Sequence, residues 1–411
     1  MRFKFVSLIA LITAMVIVFA ACAGQAQPAA PAEPAPPPAA EETVETPAAE
    51  TEPEPAPEPE PEPEADDTTD AVTGATMDAN DVQIALVAHS PDSILDDGSF
   101  NQGAWDGIQR FINNHGLPAG NAQFFQPHEG SDVARIDLIE GVISGGANIL
   151  VLPGFHFINS SYDLQDMFPD VMFVLLDASP ARDNVVRVQP NLAAIHYAEE
   201  QAGFLAGYAA VMEGYRNLGF TGGIPVPAVV RYGHGFIEGA EFAAASLGLE
   251  PGEVTINYHY FGAFAPDPAF AVTASAWFAA GTEIIFAAAG GAGANVFSAA
   301  EGAGASVIGV DVDQGHLSES VITSAVKGLD VSVYDMIAAF WLGTFQGGEL
   351  RFDASNNGIG LSMASSRMQN FTQAQYENIF EQLASGAISV SSSEVLSEIL
   401  ENISLVVVTE L

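Results

Sequence analysis

The sequence predicts an α/β protein of two doubly wound, Rossmann-like domains that follow an N-terminal export signal and a tether. Short apolar runs recur from about Asp81 onward, at 82–87, 149–152, 172–176, 217–220, 283–287 and 306–310. Amphipathic helical segments separate them, at 103–114, 132–144, 193–212, 235–247 and 292–302. Apolar strands that alternate with helices indicate parallel sheets covered on both faces, and about 330 residues exceed what one such sheet holds.

The first residues have the pattern of a bacterial lipoprotein signal. Arg2 and Lys4 precede an apolar run, and small residues lead directly into Cys22, the only cysteine of the chain. A single cysteine excludes an intrachain disulfide and a cysteine metal cluster, so lipid attachment is its expected role. We predict a signal peptide over 1–21 and a protein held at the extracytoplasmic face of the cell membrane. An uncleaved membrane anchor is the alternative, which the abrupt change to Ala/Pro/Glu composition disfavours.

Residues 22–75 are predicted to form a disordered tether. Thirteen of the 25 prolines fall between Pro28 and Pro63, where glutamate and proline alternate and almost nothing could build a core. Such a segment favours extended polyproline II, and about fifty residues could hold a domain on the order of 100 Å from the membrane.

The charge of the chain restricts its partners. The net charge is -41, and beyond residue 75 there are 38 acidic residues against 9 Lys and Arg, a net of -29. Phosphate binding depends on Lys and Arg, so nucleic acid and anionic membrane surfaces are excluded as general partners. Lys327 is the only lysine after the signal segment. It is either a functional ammonium or a chance residue on a solvated helix.

Polar and aromatic side chains collect where the predicted strands end, which is where open α/β sheets bind ligands. His89 follows the first strand, Phe155 and His156 follow the run 149–152, and Asp177 follows 172–176. In the second half the corresponding segments are 231–239, 289–293 and 309–314. Their carboxylates, amides and aromatics predict a cleft between the domains that binds a small polar ring compound.

Five segments, in order along the chain, resemble the basic membrane lipoprotein family. They are the run from Leu95 to Trp105 (Leu-Asp-Asp-Gly-Ser-Phe-Asn-Gln-Gly-Ala-Trp), followed by 200–207, 235–239, 308–314 and 323–327. The family comprises substrate-binding lipoproteins of nucleoside ABC importers. The resemblance implies a type I periplasmic-binding-protein fold with three hinge crossings, a purine nucleoside as ligand, permease subunits as partners, and neither a cofactor nor catalytic activity. Hinge closure over the ligand by a monomer is the expected mechanism.

The resemblance also assigns roles to residues. Phe100 and Phe236, one from each domain, would stack on the two faces of a purine, and Asn101 would contact the edge of the base. Asp311 would accept hydrogen bonds from ribose hydroxyls, and Lys327 would donate to one of them or to the ring oxygen. The remaining candidates are Ser99 and Asp177 as supports, Gly290 and Gly291 for close backbone approach, and His89 at the place that faces the base. Phe155 and His156 either close over the ligand or fill the wall of the cleft. Asp97 is expected to cap the helix that starts near Ser99.

The chain departs from the family at one place and leaves the domain boundaries to be estimated. Family members commonly have an aspartate after the first strand, where this sequence has His89 or, with a shifted loop, Asp92. Crossings are expected near Asn191, His316 and Gln346. They divide the folded region into 76–191 with 317–346, and 192–316 with 347–411.

Other functions remain as alternatives. The same fold could serve a sensor lipoprotein for a sugar, a furanone signal or a modified nucleoside. Asp92, Asp96 and Asp97 could suggest a calcium-dependent nucleoside hydrolase, but their spacing resembles a capped turn, and no metal site is expected. No nucleophile elbow, P-loop or zinc motif occurs in the sequence, and Gly290-Gly291-Ala292-Gly293 lacks the spacing of a dinucleotide site.

Overall fold

The computed structural model describes residues 76–78 and 81–411 of the chain. The predicted signal peptide, Cys22 and the tether over 22–75 lie outside the described residues and stay predictions. Among the described helices, none is long and apolar enough to cross a membrane.

The described strands and helices alternate along most of the chain. In chain order the strands are β1 Ile84–Val87, β2 Ala122–Phe125, β3 Ile149–Pro153, β4 Met172–Leu176, β5 Ala181–Arg182, β6 Val185–Val186, β7 Leu192–Tyr197, β8 Asn217–Gly222, β9 Val254–Tyr260, β10 Ile284–Ala288, β11 Ser306–Asp311, β12 Val321–Lys327, β13 Gly348–Phe352, β14 Ile359–Leu361 and β15 Val406–Glu410. The helices are α1 Phe100–Asn114, α2 Asp132–Ser144, α3 Ile158–Met167, α4 Glu199–Glu213, α5 Pro227–Leu247, α6 Pro268–Ala279, α7 Gly293–Ala303, α8 Leu329–Trp341, α9 Gln373–Ala384 and α10 Leu396–Leu400.

Thirteen of the fifteen described strands form two large sheets, each with helices on both faces, and β5 and β6 pair separately as a two-stranded antiparallel sheet. The first sheet has the order β13-β7-β4-β3-β1-β2 and is parallel throughout. The second has the order β14-β12-β11-β10-β8-β9-β15 and is parallel except for β14. Because β1, β3 and β4 are buried on both faces, their apolar residues divide between two cores, one under α1 and α8 and one under α2 and α3. The predicted class of two doubly wound domains is confirmed.

The three crossings between the sheets lie later in the chain than the sequence analysis expects. The chain leaves the first sheet at Ala198, after β7, and returns at Gly328, after β12. It passes back to the second sheet across residues 353–358, between β13 and β14. The expected points near Asn191, His316 and Gln346 are therefore corrected, because in each case one more strand stays in its sheet before the chain crosses. The crossings touch one another, since the Ala198 amide donates to the Phe352 carbonyl at 2.9 Å.

All six predicted strands are present, but the predicted helix 193–212 is wrong at its start. Residues 192–197 form β7, and the helix begins only at Glu199. Both segments are apolar and buried, so hydrophobic periodicity does not separate the strand from the helix. β9, whose buried and partly exposed residues alternate, is absent from the predicted strands.

Helices α4 and α5 pack with their backbones in contact because glycines line the interface. A Cβ placed on any of them would lie 2.0 or 2.1 Å from a carbonyl oxygen of the other helix, and they are Gly203, Gly207, Gly235 and Gly239. No real Cβ tolerates such a distance, so these positions accept only glycine without a shift of one helix. The contact places the first residue of α4, Glu199, beside Arg231 of α5.

Replacing Gly239 with alanine is expected to destabilise the protein, although alanine favours a helix. The added Cβ would lie 2.0 Å from the Phe204 carbonyl oxygen, and overpacking of this kind costs about 1–3 kcal/mol. Gly302 is the matched control because it lies in α7 with no heavy atom within 4 Å of its Cβ position. Gly302→Ala should be neutral or stabilising by up to about 1 kcal/mol in urea denaturation. Equal effects of the two substitutions would contradict the close helix contact.

Candidate functional site

A buried cluster of charges surrounds Lys327, the last residue of β12. Its Nζ donates to Asp177 Oδ2 at 2.6 Å, and it lies 3.5 Å from Asp311 Oδ1 and 3.6 Å from Glu199 Oε1. Lys327 is only 4 % exposed. The three carboxylates come from the end of β4, the end of β11 and the start of α4. One ammonium therefore joins both sheets at the points where the chain crosses between them.

Asp177 and Asp311 occupy equivalent positions in the two domains. Each comes at the carboxyl end of a parallel strand, and each has a left-handed backbone, with φ of 56° and 67°. Non-glycine residues adopt this conformation at a cost, and it clusters at functional sites. The turn directs both carboxylates toward the same ammonium.

The cluster carries more negative than positive charge. Burial alone would lower the pKa of Lys327, but the carboxylates of Asp177, Asp311 and Glu199 raise it above its ordinary value. Burial raises the pKa of Asp177 to about 7, and Lys327 opposes that shift. Oδ1 of Asp177 and Oε1 of Glu199 are buried without a hydrogen bond to the described residues. Buried acceptors of this kind favour a ligand that brings hydroxyl or amine donors.

The loop before α1 joins the two domains across the cleft. The Asp97 carboxylate accepts from the backbone amides of Ser99, Asn101 and Gln102 at 2.9, 3.0 and 3.1 Å, so the expected helix cap is confirmed. Ser99 Oγ donates to Asp311 Oδ2 at 2.6 Å. Burial raises the pKa of Asp97 to about 6, which the three amide donors counteract in part.

Asn101 lies beside the cleft, but its side-chain amide is engaged by the protein. Its Nδ2 donates to the Ile94 carbonyl at 3.0 Å, which braces the loop ahead of α1. A contact between Asn101 and a base edge stays a prediction.

Three aromatic rings lie near the ammonium of Lys327. The centroid of the Phe100 ring is 4.7 Å from Lys327 Nζ, and the rings of Tyr197 and Tyr232 are 5.4 and 5.6 Å away. Phe100 is half-buried at the start of α1, so part of its ring is open to a ligand.

The second domain places Phe264 at its own strand ends. This half-buried residue follows β9 and packs over glycines: a Cβ on Gly223 would lie 2.3 Å from its ring, and one on Gly290 3.4 Å. Gly290 and Gly291 lie beside Phe264, and their expected role in close approach to a sugar stays a prediction. Neither Phe264 nor β9 was predicted from the sequence, although an aromatic residue in the turn Phe-Gly-Ala-Phe-Ala-Pro is a signal of such a position.

Phe236 is not in the cleft, which corrects its expected role as a stacking ring. It is 0 % exposed inside α5, with ring centroids 5.5 Å from Phe286 and 6.4 Å from Phe220 in the core of the second domain. The glycines on either side of it suggested a turn, but they serve the contact with α4.

A ladder of rings lies at the carboxyl ends of β1 and β3. The imidazoles of His89 and His156 stack at 4.1 Å with an angle of 6° between their planes, and Phe155 stacks on His156 at 4.0 Å. A Cβ on Gly154 would lie 3.9 Å from Phe100 Cε1, so the ladder borders Phe100. The structure thus brings together Ser99, Phe100, Asp177, Asp311 and Lys327, with His89 and Phe155 alongside. It adds Glu199, which the sequence analysis missed.

Comparison with known proteins agrees with this architecture. A family model described as ABC transporter substrate-binding protein PnrA-like matches residues 83–394. The chain is 26% identical over 335 residues to the ABC transporter nucleoside-binding protein BmpA of Lactococcus lactis subsp. cremoris, covering 76% of this chain and 90% of that protein. It is 28% identical over 276 residues to basic membrane protein A1 of Borrelia garinii subsp. bavariensis, covering 65% and 76%.

The fold also matches solved structures. An ABC transporter solute-binding protein from Aeropyrum pernix superposes with a TM-score of 0.65 at 20% identity, covering 78% of this chain and 96% of that chain. This similarity confirms the type I periplasmic-binding-protein fold. Because the family model covers most of the folded region, the chain belongs to the PnrA-like family of ABC transporter substrate-binding proteins, the basic membrane lipoproteins that its motifs resemble.

Proposed function

We propose that this protein captures a purine nucleoside in the cleft between its domains and delivers it to the permease of an ABC importer. The observation that carries the proposal is the ammonium of Lys327 among three carboxylates, two of which keep buried oxygens without hydrogen bonds to the described residues. Ribose hydroxyls would donate to those oxygens, and the Lys327 ammonium would donate to a hydroxyl or ring oxygen of the sugar.

The aromatic side chains support a flat heterocycle beside the sugar. Phe100 and Phe264 are half-buried and stand at the strand ends of different domains. Stacking on two aromatic faces is available to any planar base and does not depend on its substituents. We assign the second face to Phe264 in place of Phe236.

The positions of the polar contacts support hinge closure. Ser99 Oγ donates to Asp311, and Gln314 Nε2 donates to the Gly98 carbonyl at 2.7 Å, so both bonds join the first domain to the second. A ligand that bridges the same two surfaces stabilises the closed form, which is the form that a permease would bind. We propose that the protein acts as a monomer and without catalysis.

The location is part of the proposal. Family membership favours the extracytoplasmic side of the membrane, and the lipoprotein signal ending at Cys22 supplies a lipid anchor there. Labelling with a radioactive or clickable palmitate, in the wild type and in Cys22→Ser, tests the anchor.

Calorimetry of the folded protein against inosine, adenosine, hypoxanthine, ribose and xylose tests the ligand class. We expect nucleosides to bind at least about tenfold more tightly than a free base or a free sugar, since only they engage both the rings and the carboxylates. A free sugar that bound as tightly as the nucleosides would instead favour the sugar receptor. Release of free base from inosine would contradict the transport function in favour of a hydrolase.

A further inference from the structure

We propose that the stacked pair of His89 and His156 is the hydrogen-bonding surface for the purine base, and that it accepts both oxo- and amino-substituted bases. This inference rests on the proposed nucleoside function. The pair stands at the carboxyl ends of the neighbouring strands β1 and β3, and Gly154, next to the pair, borders the ring of Phe100. A base stacked on Phe100 would therefore present an edge to the two imidazoles.

The two rings hold each other in a fixed orientation. Their planes are nearly parallel, with 6° between them and 4.1 Å between centroids, and the Phe155 ring also stacks on His156 at 4.0 Å. Arg135 of α2 holds the backbone of His89 in place, since its Nη1 donates to the His89 carbonyl at 2.8 Å. Both imidazoles are half-buried, and that of His156 makes no hydrogen bond within the described part of the chain.

Both imidazoles are neutral at neutral pH. Burial lowers the pKa of His89, and Arg135 lowers it further. Burial lowers the pKa of His156 to about 4, with His89 and Arg135 acting in the same direction and Asp132 against it. The charged groups that face the pair are thus Arg135 and Asp132 of α2, and each histidine faces the other. A neutral imidazole has one donor nitrogen and one acceptor nitrogen.

The contacts of His89 within the protein are compatible with either tautomer of its imidazole. Its Nδ1 and Nε2 lie 3.1 and 3.4 Å from Ser93 Oγ, so either nitrogen can pair with that hydroxyl, and Ser93 Oγ lies 3.0 Å from Ser90 Oγ, where either hydroxyl can donate. Rotation of these hydroxyls lets His89 serve as a donor or as an acceptor toward the cleft. The N1 and C6 positions of adenosine offer an acceptor and a donor, and those of inosine offer a donor and an acceptor. Two adaptable imidazoles can pair with either arrangement, whereas a carboxylate would accept only.

The test measures adenosine, inosine and guanosine affinities of the full chain by calorimetry at about pH 7, where both imidazoles are neutral. We expect the wild type to bind adenosine and inosine within about tenfold of each other. In His156→Asp the carboxylate should repel N1 of adenosine and accept from the N–H groups of guanosine, moving the guanosine-to-adenosine preference by at least about tenfold. His156→Phe keeps the ring stack without nitrogen and should weaken all three nucleosides by about tenfold.

Controls separate this inference from the proposed function. His128→Asp changes an exposed histidine in the loop before α2 and should leave the preferences unchanged. Thermal melting of each variant identifies any that fails to fold, and His156→Phe serves as the test if His156→Asp does fail. Nucleoside binding by the wild type, with unchanged preference in His156→Asp and unchanged affinity in His156→Phe, would overturn the role of the pair alone. A wild type that binds no nucleoside would overturn both the pair and the proposed function.

Acidification supplies a second readout. Protonation turns an acceptor nitrogen into a donor and places two cations in a stack beside Arg135. Asp177 of the charge cluster, whose pKa is raised to about 7, titrates in the wild type and in His156→Phe alike, so the readout is the difference between the pH profiles of the two proteins, which should grow as the pH approaches about 4. His156→Phe should lack the part of the fall in affinity that His156 contributes, and identical pH profiles of the two proteins would contradict the inference.

Discussion

Replacement of Lys327 by methionine is expected to cause a large loss of both stability and nucleoside affinity. Methionine keeps most of the side-chain volume but leaves Asp177, Asp311 and Glu199 without their ammonium at 3.6 Å or less. Removal of one partner from a buried ion pair destabilises a protein by about 3–5 kcal/mol, because the remaining charge is uncompensated. Urea denaturation of the ligand-free variant measures this loss directly.

The affinity for a nucleoside should fall by about tenfold or more, since hydrogen bonds to charged groups contribute about 1.5–3 kcal/mol. The double variant Lys327→Met with Asp177→Asn should recover part of the stability, because it removes the charge nearest to the missing ammonium. It should not recover the affinity, since the donor to the sugar is still absent. Recovery of both together would mean that Lys327 acts only on folding.

The pH dependence of Lys327→Met has a definite sign. Burial already raises the pKa of Asp177 to about 7 with the ammonium present, and loss of the ammonium raises it further. A carboxyl whose folded pKa lies above its unfolded pKa stabilises the folded state at low pH and loses that contribution as the pH rises through the folded value. The deficit of the variant relative to the wild type should therefore shrink on acidification from about pH 8 to about pH 5. A deficit that stays constant over this range would contradict the excess of buried carboxylate charge.

The strands that the sequence predicts correctly are those buried on both faces. β1, β3, β4 and β10 consist of buried residues throughout, so each appears as a continuous apolar run. Strands at the edges of the sheets escaped prediction because their patterns are weak. β13 and β15 are short and contain one buried residue between them, and they pair with the distant β7 and β9.

The candidate residues that the structure brings together are those at strand ends, and their roles in binding stay predictions. Asp177, Asp311 and Lys327 each end a buried strand, and the structure brings them within one charge cluster. Glu199 could not be predicted because it directly follows Ala198, where the chain crosses to the second sheet. The position of that crossing depends on how many strands the first sheet contains. Long-range packing decides that number, and no local pattern records it.

The glycines around Phe236 show a different limit of sequence analysis. A glycine favours a turn when it needs a left-handed backbone, but it also permits two helices to approach closely. Gly235 and Gly239 serve the second purpose, so the same residues that suggested an exposed ring belong to a buried helix contact. Only the position of α4 distinguishes the two cases.

Alanine substitution of Phe264 is expected to lower ligand affinity, whereas alanine substitution of Phe236 is expected to lower stability. The two measurements distinguish a ring that stacks on the ligand from a ring in the core. Phe264 is half-buried over glycines at the strand ends of the second domain, so Phe264→Ala removes a ring face without opening a core cavity. Stacking of a base on an aromatic ring contributes about 1–3 kcal/mol, equivalent to about ten- to hundredfold in affinity. Calorimetry should show this loss while the melting temperature of the ligand-free protein changes little.

Phe236→Ala should instead lower stability by about 3–5 kcal/mol, because it leaves a cavity beside Phe220 and Phe286 in the core of the second domain. The fraction that remains folded should bind a nucleoside with nearly wild-type affinity once the folded population is taken into account. Phe236→Leu, which fills part of the cavity, should restore stability, whereas Phe264→Leu should still bind weakly because leucine has no ring face. If Phe236→Ala weakened binding in a fully folded protein and Phe264→Ala did not, Phe236 would have to reach the ligand through a rearrangement of α5, and the assignment of the two rings would be reversed.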